Sequence, residues 1–451
     1  MHSIADAFAT WATTLDPDRI PPETRDQIGL HLADAVGLVA AAWSTEPGAI
    51  ARDIAADLGG SGSDLLFDRG GLHSAASALA HGTLIHTLDY DDTLPESVIH
   101  PMSVLAPVVW AASDDRTSGA EILTALAAGG ELLARLGAEA GRGLHTRGFQ
   151  ATSIFGPLAA ALVVGVLRKR SPQSIAAAMG LAGSMSGGLL EFLSDGTWSK
   201  RLHPGWAAHG GVIADMHAAR GFPGPASVVE GRHGLFSSFL SRDVQEENVL
   251  GGLGEVWFSR HVELKFYPCA HVLHPFIAMA ADLSTRSGAI DLIDEVVCGV
   301  APWYVPIVCE PRAEKLDPTS EYQARTSLPL AVSLALIDGD IGGSSFDLDS
   351  VRRPNVRALA ERVTVVEDPE LDEGFGARIQ VRLHNGTLID GDPSLQTDVP
   401  RRAKDKFMSG FGGATDSTAE VEHLWDAVRD FDRHPWGRVR QAADAASRFL
   451  D

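Results

Sequence analysis

A chain of 451 residues with 45% hydrophobic and 21% charged residues has the balance of an ordinary globular protein of about two or three domains. That excludes a disulfide scaffold, a collagen-like fibre and a disordered chain, and a core of this size needs no covalent staples. The 37 basic against 59 acidic residues leave a net charge of −22, which repels phosphate backbones and anionic lipid, so neither nucleic acid nor membrane is expected as a partner.

Ile4, Phe8, Trp11 and Leu15 recur at helical spacing, so the N-terminus reads as a packed helix and not as a signal peptide. Pro21-Pro22 opens a second helix whose apolar face is Ile28, Leu32, Ala35, Val36 and Val39. Further helices are expected over roughly 75–88 and 120–136. The longest apolar stretch, 154–167, is interrupted by Gly156, Pro157 and Gly165 and is too short to span a bilayer, which points to a soluble, cytoplasmic protein. Arg168-Lys169-Arg170 suits a helix C-terminus, and Ser171-Pro172 supplies the N-cap and first position of the next helix.

The pattern changes after about residue 264. Segments 295–300 and 363–366 read as strands, and Ile379, Val381 and Leu383 alternate with polar neighbours. Asn385-Gly386 then leads into 387–389, the signature of a hairpin with a type I′ turn. A helix over 328–337 stops at Asp338-Gly339, Gly342 to Ser345 forms a loop, and Val421, Leu424, Trp425 and Val428 mark a last helix face. The expected fold is mostly α with an α+β lid. A large all-helical domain is built from both chain ends (1–263 and 398–451), with a smaller α+β domain inserted between them (264–397).

The densest polar constellation runs from His86 to Thr93 and is followed by His100. A helix ending in Asp89, Asp91 and Asp92 sets three acids against its negative end, which should raise a carboxylate pKa or recruit a cation. The alternative is a solvated acidic loop. The run from Asp91 to Glu96 also looks loosely like the magnesium motif of isoprenoid synthases, but Glu191 and Asp195 have the wrong neighbours for its second half. Lysine occurs six times, at 169, 200, 265, 315, 404 and 406, in a chain that otherwise uses arginine. A lysine retained in such a chain suits a point charge or a proton donor, which arginine cannot be. Lys200, in a loop with Gly196 and Trp198, and Lys265, before Phe266-Tyr267-Pro268, are the best candidates.

Cofactor signals are weak. Cys269, His271 and His274 are metal ligands by type, but they crowd into six residues with no distant partner motif, so packing or pocket lining is expected. The three cysteines, with Cys298 and Cys309, make no disulfide framework and fit a reducing cytosol. Gly59-Gly60-Ser61-Gly62 lacks the strand and the Lys-Ser/Thr of a phosphate loop, and neither a dinucleotide fingerprint nor a Gly-x-Ser-x-Gly elbow is present. No cofactor and no metal are expected.

In order along the chain stand Ala80-His81-Gly82, Asp89 to Thr93, His100-Pro101, and Gly148-Phe149-Gln150-Ala151-Thr152 with Gly156. Lys200-Arg201-Leu202-His203-Pro204-Gly205, Lys265 to Cys269, Ser327-Leu328-Pro329, Asp338-Gly339 and Lys406-Phe407 follow. This series resembles the MmgE/PrpD family over nearly the whole chain. The resemblance implies a helical domain from both chain ends, a smaller α+β lid and a homodimer. Family members include 2-methylcitrate dehydratase, cis-aconitate decarboxylase and iminodisuccinate epimerase, which act on small di- or tricarboxylates without a metal or iron–sulfur cluster. Their shared problem is charge developing next to a carboxylate, met by fixed cations and an acid/base pair.

Carried onto this chain, the resemblance makes Asp89, Thr93 and His100 the first active-site segment and Lys200 and Lys265 the pocket lysines. His100 would be the acid/base, Lys200 a proton shuttle or carboxylate clamp, Lys265 a second clamp, and Asp89 the residue that orients His100 or a lysine. Thr93, Gln150, Arg201, His203 and His271 would contact substrate. Two positions depart from the pattern. Gln150 stands where the dehydratase and the decarboxylase carry a second active-site histidine, and glutamine cannot exchange a proton near neutral pH. Leu330 replaces an aromatic of the decarboxylase, and the Thr93–His100 spacing is one residue longer. The implied function is a cofactor-independent lyase of the dehydratase type. The alternatives are an isomerase, epimerase or decarboxylase on the same scaffold and, from another class, an inert carboxylate-binding homologue.

Overall fold

The computed structural model describes residues 3–286, 290–339, 341–371, 374–395, 397–412 and 418–450. It is 61% helical with 9% strand, so the fold is mostly α with a smaller α+β part. Two compact units are present. One comprises Met1–Leu190, Trp198–Leu264 and Val399–Asp451, and the other Glu191–Thr197 with Lys265–Asp398.

The first unit opens with α1 (Ile4–Thr14), capped by the Ser3 side chain, burying Ile4, Phe8 and three alanines. In α2 (Pro22–Ala42) the expected apolar face is present, yet residues 28–40 are buried without a break. A helix buried all round is a core helix, so its sequence period carries less information than its total apolarity. After α3 (Glu46–Leu58) comes a short antiparallel ribbon of β1 (Ser63–Leu65) and β2 (Asp68–Leu72). Then follow α4 (Ser74–His86), α5 (Met102–Ala112) and α6 (Gly119–Ala140), the last begun by a Ser118/Glu121 capping box. The apolar stretch forms α7 (Ala151–Leu167), and Ser171 caps α8 (Pro172–Ser184) through the Ser174 N–H.

Helix α9 (Ser199–Ala218) packs on α4 at a glycine crossing. A Cβ on Gly82 would lie 2.6 Å from the Gly205 Cα, and one on Gly205 would lie 2.3 Å from the Leu79 carbonyl oxygen. Only backbone fits there. The close approach sets the first turn of α9, which carries Lys200 and His203, beside the end of α4, which carries His86.

The second unit holds α10 (His274–Arg286), β3 (Ile293–Val300), α11 (Leu328–Asp338), β4 (Val363–Glu367), β5 (Ala377–Leu383) and β6 (Leu388–Asp390). The sheet order is β4-β3-β5-β6, with β3 and β4 parallel and the other pairs antiparallel. Phe276 and Ile277 of α10, Leu334 of α11, and Val296, Cys298 and Val381 of the sheet share one buried core. Ser327 caps α11, and Gly339 ends it with φ 75°.

The β5–β6 turn corrects the expectation from Asn385-Gly386. A type I′ turn needs positive φ at both residues, and here Gly386 alone has it (φ 85°). The Gly386 N–H donates to the Leu383 carbonyl at 2.8 Å, and the Leu383 N–H to the Thr387 carbonyl at 2.9 Å. This is a type I turn followed by a glycine bulge, a three-residue loop. The Asn385 side chain accepts from the Thr387 N–H (2.9 Å), which holds Asn385 in the right-handed region.

The chain returns to the first unit with α12 (Val399–Ser409), α13 (Thr418–Arg429) and α14 (Gly437–Ala446). Val421, Leu424, Trp425 and Val428 are buried on α13 as their spacing requires. All three cysteines are buried free thiols. Among the described residues no single helix is long and apolar enough to cross a membrane.

Candidate active site

Beyond the last turn of α4 the chain reverses at Asp89, whose φ of 51° lies in the left-handed region that aspartate tolerates better than most residues. The acids that follow are not a solvated loop. Asp89, Asp91 and Asp92 are 4%, 1% and 2% exposed. Burial of this kind requires partners, and each acid has one. Lys200 Nζ lies 2.8 Å from Asp89 Oδ2. His86 Nδ1 lies 2.9 and 2.8 Å from the two Asp91 oxygens. His31 Nδ1 lies 2.8 Å from Asp92 Oδ2, and the Met102 N–H donates to Asp92 Oδ1 at 3.0 Å.

Tyr90, between the acids, is held by its backbone. Lys406 Nζ donates to the Tyr90 carbonyl at 2.6 Å, sits 3.9 Å from the centre of its ring, and pairs with Asp34 Oδ1 at 2.6 Å. Burial pushes the Asp34 carboxyl up to about 6 against the pull of Lys406. Segment 89–92 is thus gripped at every residue by a side chain from a different helix: α9, α12, α4 and α2.

His100 lies across this segment. Its Nδ1 is 2.9 Å from the Asp92 carbonyl oxygen, 3.3 Å from Thr93 Oγ1 and 3.7 Å from Asp91 Oδ2. Its backbone N–H donates to Thr152 Oγ1 (3.0 Å), and its ring centre is 4.7 Å from that of His86. A carbonyl oxygen only accepts, so His100 carries its hydrogen on Nδ1 and presents Nε2 as the basic atom. Gln150, just before α7, reaches between two histidines: Nε2 is 3.5 Å from His86 Nε2, and Oε1 is 2.5 Å from His203 Nδ1.

Burial, followed by the charges of His86 and Lys200, pushes His203 down to about 4. Burial and then Lys200 do the same to His145. Both rings are therefore neutral at pH 7 beside a lysine.

Of the residues singled out in the sequence, Asp89 meets Lys200, Thr93 meets His100 and Gln150 meets His203. The Arg201 guanidinium lies 4.9 Å over the Trp198 ring. Lys265 and His271 belong to the second unit, where Lys265 is buried at its start and His271 packs 4.4 Å from the His274 ring and 4.8 Å from Phe375. His274 Nε2 sits 3.0 Å from the Tyr267 carbonyl oxygen. Cys269, His271 and His274 do not converge as metal ligands; among the described residues the group that does is His86, Asp91 and His100. The 2.8 Å His86–Asp91 contact is a hydrogen bond, shorter than the roughly 3.0–3.4 Å between two ligands of one ion bound at about 2.1 Å. A metal would have to break it.

The sequence placed His86 and Asp91 in the polar constellation without giving either a role, and it did not mark His31, Asp34, Lys406 or His145 as site residues. His86 and Asp91, five residues apart across a helix end, were within reach of a local pattern. His31 meets Asp92 across 61 residues, and Lys406 meets Tyr90 across 316, separations that leave no local signal.

Comparison with known proteins agrees with this architecture. A cis-aconitate decarboxylase of Aspergillus terreus (strain NIH 2624 / FGSC A1156) is 24% identical over 467 residues, covering 94% of this chain and 92% of its own. A cis-aconitate decarboxylase-like protein of Aspergillus oryzae is 24% identical over 441 residues (90% and 91%), and the cis-aconitate decarboxylase of Mus musculus 28% over 337 residues (69% and 65%). The MmgE/PrpD N-terminal domain matches residues 6–247 and the MmgE/PrpD C-terminal domain residues 267–394, and the chain belongs to the MmgE/PrpD family.

Proposed function

We propose that this chain is a lyase of small di- or tricarboxylates that works by proton transfer at a carbon next to a carboxylate, with water as the leaving group. The observation that carries this reading is the Lys200–Asp89 pair at 2.8 Å beside a buried histidine set whose hydrogens are fixed. Removing a proton next to a carboxylate builds enolate charge. A lysine ammonium held in a nearly dry site stabilises that charge far better than water does.

In this reading His100 is an acid/base residue of the site, acting at Nε2. Lys200 clamps the carboxylate or shuttles a proton to the leaving hydroxyl, and Asp89 fixes where the ammonium sits. Thr93 and Gln150 orient His100 and His203 and offer hydrogen bonds to substrate. The roles of Lys265 as second clamp and of Arg201 and His271 as substrate contacts follow from the family pattern.

Decarboxylation is the second reading, favoured by the names of the relatives. There the C–C bond breaks, carbon dioxide leaves, and the electron pair left on carbon takes a proton, so the same residues serve. Incubating the protein with 2-methylcitrate, citrate and cis-aconitate separates the two. A new alkene signal in the proton NMR spectrum without released carbon dioxide supports dehydration. Released carbon dioxide supports the second reading. No conversion and no rise in melting temperature with any of the three would overturn both.

A further inference from the structure

Gln150 leaves this site without an imidazole at the position where the resemblance expects one, and its side chain touches two imidazoles and settles the hydrogen of one. His86 Nδ1 faces both oxygens of Asp91 at 2.8 and 2.9 Å. The carboxylate oxygens accept, so the His86 nitrogen that faces them, Nδ1, carries a hydrogen. The atom facing the ring's Nε2, at 3.5 Å, is the Gln150 amide nitrogen, a donor. The Gln150 Oε1 is turned to His203 Nδ1 at 2.5 Å. Because a carbonyl oxygen only accepts, His203 also carries its hydrogen on Nδ1, which makes Nε2 its basic atom.

Position separates the two rings. His86 is 1% exposed and Gln150 2%, with the His86 Nε2 directed at the amide. His203 is partly exposed and stands one turn after Lys200 on α9, on the same face of that helix. Resting on the lyase reading, we propose that His203 is a second catalytic acid/base at this site, acting through Nε2 and held in its working tautomer by Gln150. The substrate C–H bond next to the carboxylate breaks, its proton bonds to His203 Nε2, and the electron pair stays on the substrate as an enolate beside the Lys200 ammonium. The enolate pair then forms the C=C bond, and the departing hydroxyl takes the proton back from Nε2 and leaves as water. His203 ends as it began. The low proton affinity that burial imposes on the ring keeps it neutral, and so able to accept, at pH 7.

The test combines a readout that needs no turnover with one that does. Long-range proton–nitrogen NMR of protein labelled with 15N-histidine reports which ring nitrogen carries hydrogen, and His203→Gln assigns the signal. The expected result is the Nδ1–H tautomer for His203, lost in Gln150→Leu. With a converted carboxylate, His203→Gln lowers kcat at least 100-fold with KM little changed. Gln150→Glu keeps His203 but favours its imidazolium, so the acid limb of kcat/KM moves up by a pH unit or more. A ring that only supports the fold would leave that limb in place. An Nε2–H tautomer in the wild type, or His203→Gln with wild-type kcat, overturns the assignment alone. A wild type that converts no carboxylate overturns the lyase reading and the assignment with it, whatever the tautomer.

Discussion

Lys200 and Asp89 meet at 2.8 Å from the unfavourable ends of two helices. Lys200 is the second residue of α9, against the positive end of its dipole, and Asp89 lies just past the negative end of α4. Each placement costs about 0.3–1 kcal/mol on its own. The ion pair offsets both, and its buried position keeps an ammonium where a substrate carboxylate would need one. The same pairing gives local meaning to an acidic helix end that propensity alone disfavours.

Lys200→Met, made with Asp89→Asn so that no buried charge is stranded, should lower turnover by about 10²–10⁴-fold while the circular dichroism spectrum stays that of the wild type. A protein that merely binds carboxylates would lose affinity alone. Steady-state kinetics together with ligand titration of the double variant decides between them.

Gly82→Ala probes the α4–α9 crossing. The added methyl meets Gly205 backbone at 2.6 Å, so the helices must separate, at a cost of about 1–3 kcal/mol. Thermal melting should shift down by several degrees, and kcat should fall because Lys200 and His203 move with α9. An unchanged melting temperature would mean that the two helices are not this close.

The grip on Tyr90 is a coupled pair. Lys406→Met strands Asp34 and the Tyr90 carbonyl in the interior and should destabilise by about 3–5 kcal/mol. Adding Asp34→Leu to it should restore part of that loss, since no buried charge remains. A double-mutant cycle followed by thermal melting measures the coupling. Additive single effects would contradict the contact.

His81 sets an acid limit to stability. It is fully buried, its Nδ1 donates to the Ser77 carbonyl (2.8 Å) and its Nε2 accepts from the Leu66 N–H (2.9 Å). Burial pushes it down to about 4 from 6.5, despite the bond to Ser77. A depressed imidazole binds its proton less well folded than unfolded, so its contribution is complete above pH 6.5 and is lost as pH falls toward 4. The loss is about 3 kcal/mol. The melting temperature should therefore fall steadily from pH 7 to pH 4, and the His81 ring nitrogens should stay in the neutral form over most of that range. A protonated His81 in the folded protein at pH 6 would contradict it.

Much of this was legible locally. Ser171-Pro172 marks a helix start because capping chemistry acts within four residues, and Asn385-Gly386 marks a turn for the same reason. The turn type was not legible, because the choice between type I′ and a glycine bulge depends on how β6 pairs with β5 and on the Asn385 bond to Thr387. In α2 a stripe of five apolar residues was visible, but that the helix is buried all round depends on α12 and α13 packing on it from the far end of the chain. The site divides in the same way. Asp89, His100 and Lys200 stand out through residue type and spacing, and His203 enters through the family resemblance. His31, Asp34 and Lys406 acquire a role only when elements distant in sequence close on segment 89–92.

Deuterium placement tests the central claim most directly. The protein is incubated in deuterated buffer with each carboxylate, and substrate and product are recovered for NMR and mass spectrometry. Given the alkene cis-aconitate, the account predicts solvent-derived deuterium at a carbon next to a carboxylate in the product of wild-type protein, placed there by hydration in the reverse direction or by protonation after decarboxylation, and its absence with Lys200→Met paired with Asp89→Asn. Conversion of cis-aconitate with no deuterium at such a carbon, or equal incorporation by that variant, would contradict it.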